Sequence, residues 1–111
     1  MLNPETLIAF LDSMKDPLVF ADTSHIIQYM NKAATDKYSK RWGTDLIGKS
    51  LMHCHNEQSQ QKIIEVFSAM QKGEEERLIT DKDKYRVYMR AVRTADGALI
   101  GYYEWYEHKA K

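Results

Sequence analysis

His53, Cys54 and His55 stand side by side in the middle of the chain, within Leu46-Ile47-Gly48-Lys49-Ser50-Leu51-Met52-His53-Cys54-His55-Asn56. Imidazole and thiolate are good ligands for transition metals and haem iron. Adjacent side chains diverge, so the three do not converge on one ion. His53 and His55 point the same way only in an extended segment. No second ligand pair sits at zinc-finger spacing, and the Cys-x-x-Cys-His of covalent haem attachment is missing. Three readings stay open. One is non-covalent haem on His53 or His55, with Met52, Met70 or Met89 as a second axial ligand. Another is a different small ligand touched by this segment. The third is structural: one histidine caps the next helix or bonds backbone while the other faces water. Cys54 is either a thiol activated by a flanking imidazolium or a buried, inert one.

Two further groups carry chemical potential. In Tyr102-Tyr103-Glu104-Trp105-Tyr106, strand alternation puts Tyr103 and Trp105 on one face and Tyr102, Glu104 and Tyr106 on the other. The expectation is that Tyr103 and Trp105 face the helices as pocket wall. The face of Tyr102, Glu104 and Tyr106 would then pack outward, against an N-terminal helix or a second subunit, with ordinary sheet packing as the alternative. Arg86 and Arg90 share a face of the preceding strand. They would grip an anionic ligand, or pair across the sheet with Glu74, Glu75, Glu76 or Glu104 at little energetic gain. No phosphate-cradling glycine loop, His-Glu-x-x-His or Gly-x-Ser-x-Gly is present, and Glu75 and Glu76 sit in a charge run. The chain is therefore not expected to be an enzyme.

The elements that position these residues follow from periodicity and caps. Asn3-Pro4 opens a helix whose Leu7, Phe10, Leu11 and Met14 form one apolar stripe, a candidate dimer interface. Asp16-Pro17 breaks it. Leu18 to Ala21 and His25 to Met30 read as a strand hairpin. Asn31 caps a helix from Lys32 to about Trp42, with Gly43 as its stop. Residues 44–50 read as a short helical turn, and the histidine stretch as irregular. Asn56 or Ser59 caps a longer helix to Lys72, with Ile63, Phe67 and Met70 inward. Three strands follow, around Leu78-Ile79, over Tyr85 to Thr94, and over Ala98 to His108, the last two joined by Asp96-Gly97. This is an α+β order, a single antiparallel sheet with helices on one face. Residues 1–16 are the N-terminal helix and 17–111 the domain proper.

With 111 residues, 43% of them apolar, the chain can bury one core. Sixteen basic residues balance sixteen acidic ones, which removes the electrostatic case for nucleic acid. No apolar run reaches the ~20 residues of a membrane span. The N-terminus lacks a signal-peptide layout, and a single cysteine forms no internal disulfide, so the expected compartment is the cytoplasm.

Four stretches together resemble a PAS domain over nearly the whole chain. DPLVFADTSHIIQYMN is similar to the family's opening hairpin. DLIGKSLMHCHNEQSQQKI is similar to its glycine-containing lead into the long helix. VYMRAVRTADGALIGYYEWYEH resembles the closing hairpin, and the amphipathic first helix is common in such domains. The resemblance implies a five-stranded antiparallel sheet in the order 2-1-5-4-3, with helices enclosing a pocket on one face. It also implies a sensory module that binds a small ligand or cofactor and passes the change to a dimer or partner interface. A ligand-free dimerisation module is the alternative. The light-sensing flavin motif Asn-Cys-Arg is absent around Cys54, and Glu107-His108 stand near the family's frequent terminal aspartate. The residues expected at the pocket are Met52, His53, Cys54, His55, Phe67, Met89, Tyr103 and Trp105.

Overall fold

A computed structural model describes residues 2–42 and 46–110, with the side chains of 39–42 and 54 left aside. The elements are α1 (Pro4–Asp12), β1 (Leu18–Asp22), β2 (Ile27–Met30), α2 (Lys32–Trp42), a 3-10 turn (Leu51–Cys54), α3 (Glu57–Gln71), β3 (Glu76–Asp81), β4 (Tyr85–Arg93) and β5 (Leu99–His108). All five strands form one sheet in the order β2-β1-β5-β4-β3, every pairing antiparallel. The stop signal expected at Gly43 lies outside the described residues. The histidine stretch is a 3-10 turn, tighter than the irregular connector expected.

Asparagines start all three helices. Asn3 accepts the Thr6 N–H at 2.7 Å and Asn56 accepts that of Ser59 at 2.8 Å, each satisfying a donor that the helix leaves orphaned. Asn31 is completely buried. Its Oδ1 accepts from Leu18 and Ala34, and its Nδ2 donates to the carbonyls of Asp16 and Leu11. One side chain thus ties together the end of α1, the start of β1 and the first turn of α2. Asp12 reinforces this junction, accepting from the Lys32 N–H and the Tyr29 hydroxyl. Desolvation first, and then the Asp12 carboxylate, push the Tyr29 pKa up to about 12.

The core lies between the sheet and α2, the 3-10 turn and α3. Ile63, Val66, Phe67 and Met70 of α3 pack with Val19, Ala21, Met89, Ala91 and Tyr102 of the sheet. The stripe expected on α3 is there, with Val66 inside and Ile64 exposed. In contrast, α1 buries no residue fully. Leu7, Phe10 and Met14 are 44%, 59% and 45% exposed.

The last strand departs from simple alternation. Arg93 stands opposite Leu99, but Val92 stands opposite Gly101, so Ile100 is an extra residue in β5. Past this bulge every residue of β5 has changed face relative to an uninterrupted ladder. Val87, Met89 and Ala91 stand beside Tyr106, Glu104 and Tyr102, all toward the helices. Tyr88 and Arg90 stand beside Trp105 and Tyr103, on the opposite face. The expected orientation of β5 is therefore reversed.

Candidate functional site

Between the sheet and the 51–59 segment lies a cavity of about 500 Å³. Its apolar wall is Val19, Ile27, Met30, Leu46, Leu51 and Val87. Its polar lining comes from six parts of the chain: Tyr38 of α2, His53 and His55 by the turn, Asn56 and Ser59 at the head of α3, Thr80 of β3, Tyr85 of β4, and Glu104 and Tyr106 of β5. Such a mixture, an apolar body with a few convergent polar groups, is typical of small-molecule sites.

The 3-10 turn is held against the β1–β2 hairpin. Ile27 donates to the Lys49 carbonyl at 2.9 Å, Gly48 to that of Ile27 at 2.7 Å, and Leu51 to that of His25 at 2.7 Å. Ser50 caps the turn by accepting from Met52. The His55 ring bonds the Leu51 carbonyl through Nδ1 at 2.8 Å, and Gln60 of α3 donates to the carbonyls of Met52 and His55. Each backbone bond fixes the path of the segment, so His55 enters the cavity wall from a rigid turn. His53 is exposed and lies at the rim.

Glu104 is the unexpected member. It lies on the central strand β5, beside Val19 of β1 and Met89 of β4. Desolvation raises its carboxyl pKa, and the positive potential of His55 opposes that rise. A glutamate between aromatic residues on a central strand was the signal available in the sequence. The bulge decided its meaning. With Trp105 toward the helices, alternation puts Glu104 outward, as one of four candidate partners for the arginines. Arg86 and Arg90 in fact pair on the other face, Arg90 with Glu76 and Arg86 with Glu107 and Asp81, while Arg93 reaches Glu75 and the Met70 carbonyl of α3 on the helix side.

At the cavity's aromatic end the Tyr38 and Tyr106 hydroxyls bond each other at 2.7 Å, and Tyr85 stacks on Tyr106 with centroids 5.3 Å apart. The Lys37 ammonium lies 4.5 Å from the Tyr106 ring centroid.

Of the eight residues expected at the pocket, His53 and His55 line this cavity. Met52 is partly buried against the core, and the Cys54 side chain lies outside the described atoms. Phe67 and Met89 are core residues that do not line the cavity. Phe67 packs edge-on to His25, whose Nδ1 meets the Tyr102 hydroxyl at 2.7 Å. Burial there lowers the His25 pKa more than Asp22 raises it. Tyr103 and Trp105 must be reassigned to the outer face. Trp105 stacks on Tyr88 at 4.5 Å and donates to Glu76. Tyr103 lines an apolar groove with Leu11, Met14, Leu18, Phe20, Tyr29 and Val92.

Haem does not suit the cavity. A porphyrin there would cover Asn56, Ser59 and several phenols with few donors to return, and would bring no donor to the Glu104 carboxyl. Met70 and Met89 are sealed in the core, out of reach as second axial ligands. Among the described residues no group of three His, Cys, Asp or Glu is arranged to hold a metal ion.

The Glu104 assignment has a measurable consequence. A carboxyl whose folded pKa is raised contributes stability that is full below its unfolded pKa, about 4.3. That contribution is lost as pH rises through the folded value. Glu104→Gln removes the titration. The variant should melt several degrees above wild type at pH 7.5, with the gap closing by pH 4. A gap independent of pH between 4 and 8 would place the Glu104 carboxyl in water instead.

The fold defines a small α+β module with an internal cavity, and comparison with known proteins assigns its family. The family profile described as PAS domain matches residues 7–108. The chain belongs to the PAS domain family. Comparison with characterised sequences finds no match. Among solved structures, the C-terminal domain of a Streptococcus mutans protein is similar with a TM-score of 0.79 and 20% identity, over 96% of this chain and 85% of that one. A PAS domain from Colwellia psychrerythraea follows at 0.70 and 14%, over 95% of each chain. The Aer2 receptor of Vibrio cholerae, described as a dual PAS-haem oxygen sensor, is similar at 0.59 and 21%, over 87% of this chain and 96% of that one. No described helix is long and apolar enough to cross a membrane.

Proposed function

We propose that this PAS domain is a non-catalytic sensory module that binds a small organic molecule in the inner cavity and passes the change to a homodimer interface. The observation that carries the reading is the cavity itself. A closed interaction module would fill this space with its own side chains, yet about 500 Å³ stays open beside the Glu104 carboxyl. β5 supplies the route outward. It presents Glu104 to the cavity, and its neighbour Tyr103 to the groove beside Leu11 of α1 and Met14 just beyond it. A ligand that fits one β5 geometry better than another would shift the seat of α1 by that difference in affinity. The single cysteine supports a reducing, cytoplasmic setting.

Protein purified from its own host should release a small organic molecule on denaturation, seen by mass spectrometry, and show no Soret band. Ser59→Trp, which fills the cavity from α3, should carry none. Wild type and Ser59→Trp both emerging empty would sink the ligand-sensing reading. For the dimer, Leu7→Glu with Phe10→Glu should convert a two-subunit species to monomer in sedimentation velocity. An unchanged sedimentation coefficient would remove α1 from the interface.

A further inference from the structure

Resting on the cavity reading above, we infer that the ligand is a small organic cation, a monoamine on an apolar body, whose ammonium group meets the Glu104 carboxylate inside the cavity. Three features of the site lead there. First, no hydrogen-bond donor among the described residues reaches the Glu104 carboxyl, although it stands on the central strand of the sheet, between Val19 and Met89. Glu104 is only partly buried and opens to the cavity, so its carboxylate can take a donor from a ligand, and an ammonium supplies charge and up to three donors at once. Second, the rings of Tyr85 and Tyr106 already attract an ammonium, since Lys37 Nζ lies 5.4 and 4.5 Å from their centroids. The same electron-rich wall favours a ligand cation. Third, Val19, Ile27, Met30, Leu51 and Val87 offer an apolar surface for the ligand's body.

The other charged groups set the pH dependence. His55 faces Glu104, His53 lies at the rim, and Lys37 covers the tyrosine rings. Protonated imidazoles oppose a cation, and a protonated Glu104 does not attract one. Because burial favours the neutral carboxyl, the cation displaces a proton as it binds, and its affinity rises with pH. An anionic ligand would do the reverse. It would take up a proton, pair with the imidazoles and bind more tightly as pH falls.

Three indoles of nearly equal size separate these cases: tryptamine is cationic, tryptophol neutral and indole-3-propionate anionic. Calorimetric titration of the whole chain at pH 6 and pH 8, in buffers of differing ionisation enthalpy, reads affinity and proton exchange together. Tryptamine is expected to bind at least tenfold more tightly than the other two. Its affinity should rise severalfold from pH 6 to pH 8, with protons released. Glu104→Gln should weaken it tenfold or more while the variant stays folded by circular dichroism. If tryptophol or the acid binds as well as the amine, or if Glu104→Gln leaves amine affinity unchanged, the cation assignment falls and the cavity reading stands. If none of the three binds, the cation assignment falls, and the cavity reading is decided by whether the purified protein releases a small molecule.

Discussion

Gly101→Ala is expected to destabilise the domain by about 3 kcal/mol or more, out of a total that for such domains is about 5–15 kcal/mol. The added methyl carbon would stand 2.3 Å from the Ala21 carbonyl oxygen and 2.9 Å from Cε1 of Phe20. The first contact is with backbone on the neighbouring strand, so no side-chain rotation relieves it. β1 and β5 would have to separate at the step where Asp22 pairs with Gly101. That step adjoins the Ile100 bulge, which sets the facing of everything from Tyr102 to Glu107. The melting temperature should fall by roughly 10–20 °C. In urea the midpoint should drop with the slope unchanged. Ile100→Ala is the control. Ile100 is 45% exposed and should cost under about 1 kcal/mol. A loss below about 1 kcal/mol for Gly101→Ala would mean that the two strands do not approach as closely as described.

The same bulge explains how far the sequence could be read. Caps at Asn3, Asn31 and Asn56, the break at Asp16-Pro17 and the Asp96-Gly97 turn are local signals, and each element they predict is present. The inward face of β4 was legible too, because Val87, Met89 and Ala91 alternate with polar partners. β5 was not. Its two faces are both aromatic, so composition does not say which is inside. Only the pairing with β4 does, and that pairing turns on one extra residue. An uninterrupted ladder sets Tyr103 and Trp105 beside Met89 and Val87, as the alternation suggested. The bulge sets Glu104 and Tyr106 there. The cavity's polar wall was illegible for a related reason. Tyr38, Asn56, Ser59, Thr80 and Tyr85 are each ordinary in their own segment and meet only through tertiary packing. The His-Cys-His stretch was conspicuous by type. Its geometry matches the structural reading in part: His55 bonds the backbone of its own turn, while His53 stands exposed at the cavity rim.

Asn31→Ala should be nearly as damaging as the glycine change, at about 3 kcal/mol, but for a reason of hydrogen bonding and with a different functional reach. Truncation removes the α2 cap, worth about 1 kcal/mol. It also leaves the Leu18 N–H and the Asp16 carbonyl without their 3.0 Å partners at a site with no solvent exposure. An orphaned buried group costs about 1–3 kcal/mol. Asn31→Asp separates the two halves of the effect. A carboxylate caps a helix as well as an amide does, so Leu18 and Ala34 keep their acceptor. It cannot donate, so it faces the Asp16 and Leu11 carbonyls with repulsion in place of two hydrogen bonds. The aspartate variant should therefore keep α2 protected while α1 loosens. Amide hydrogen exchange would show this as faster exchange over Leu7 to Asp12, with rates unchanged over Thr35 to Tyr38. Equal loss of protection in both helices would mean that Asn31 acts only as a cap. Selective loss in α1 would mark it as the joint through which α1 is held to the sheet that walls the cavity. In that case Asn31→Asp should also weaken dimerisation, although Asn31 lies beneath α1 and is fully buried. The dimer contact and the cavity would then be coupled through one amide.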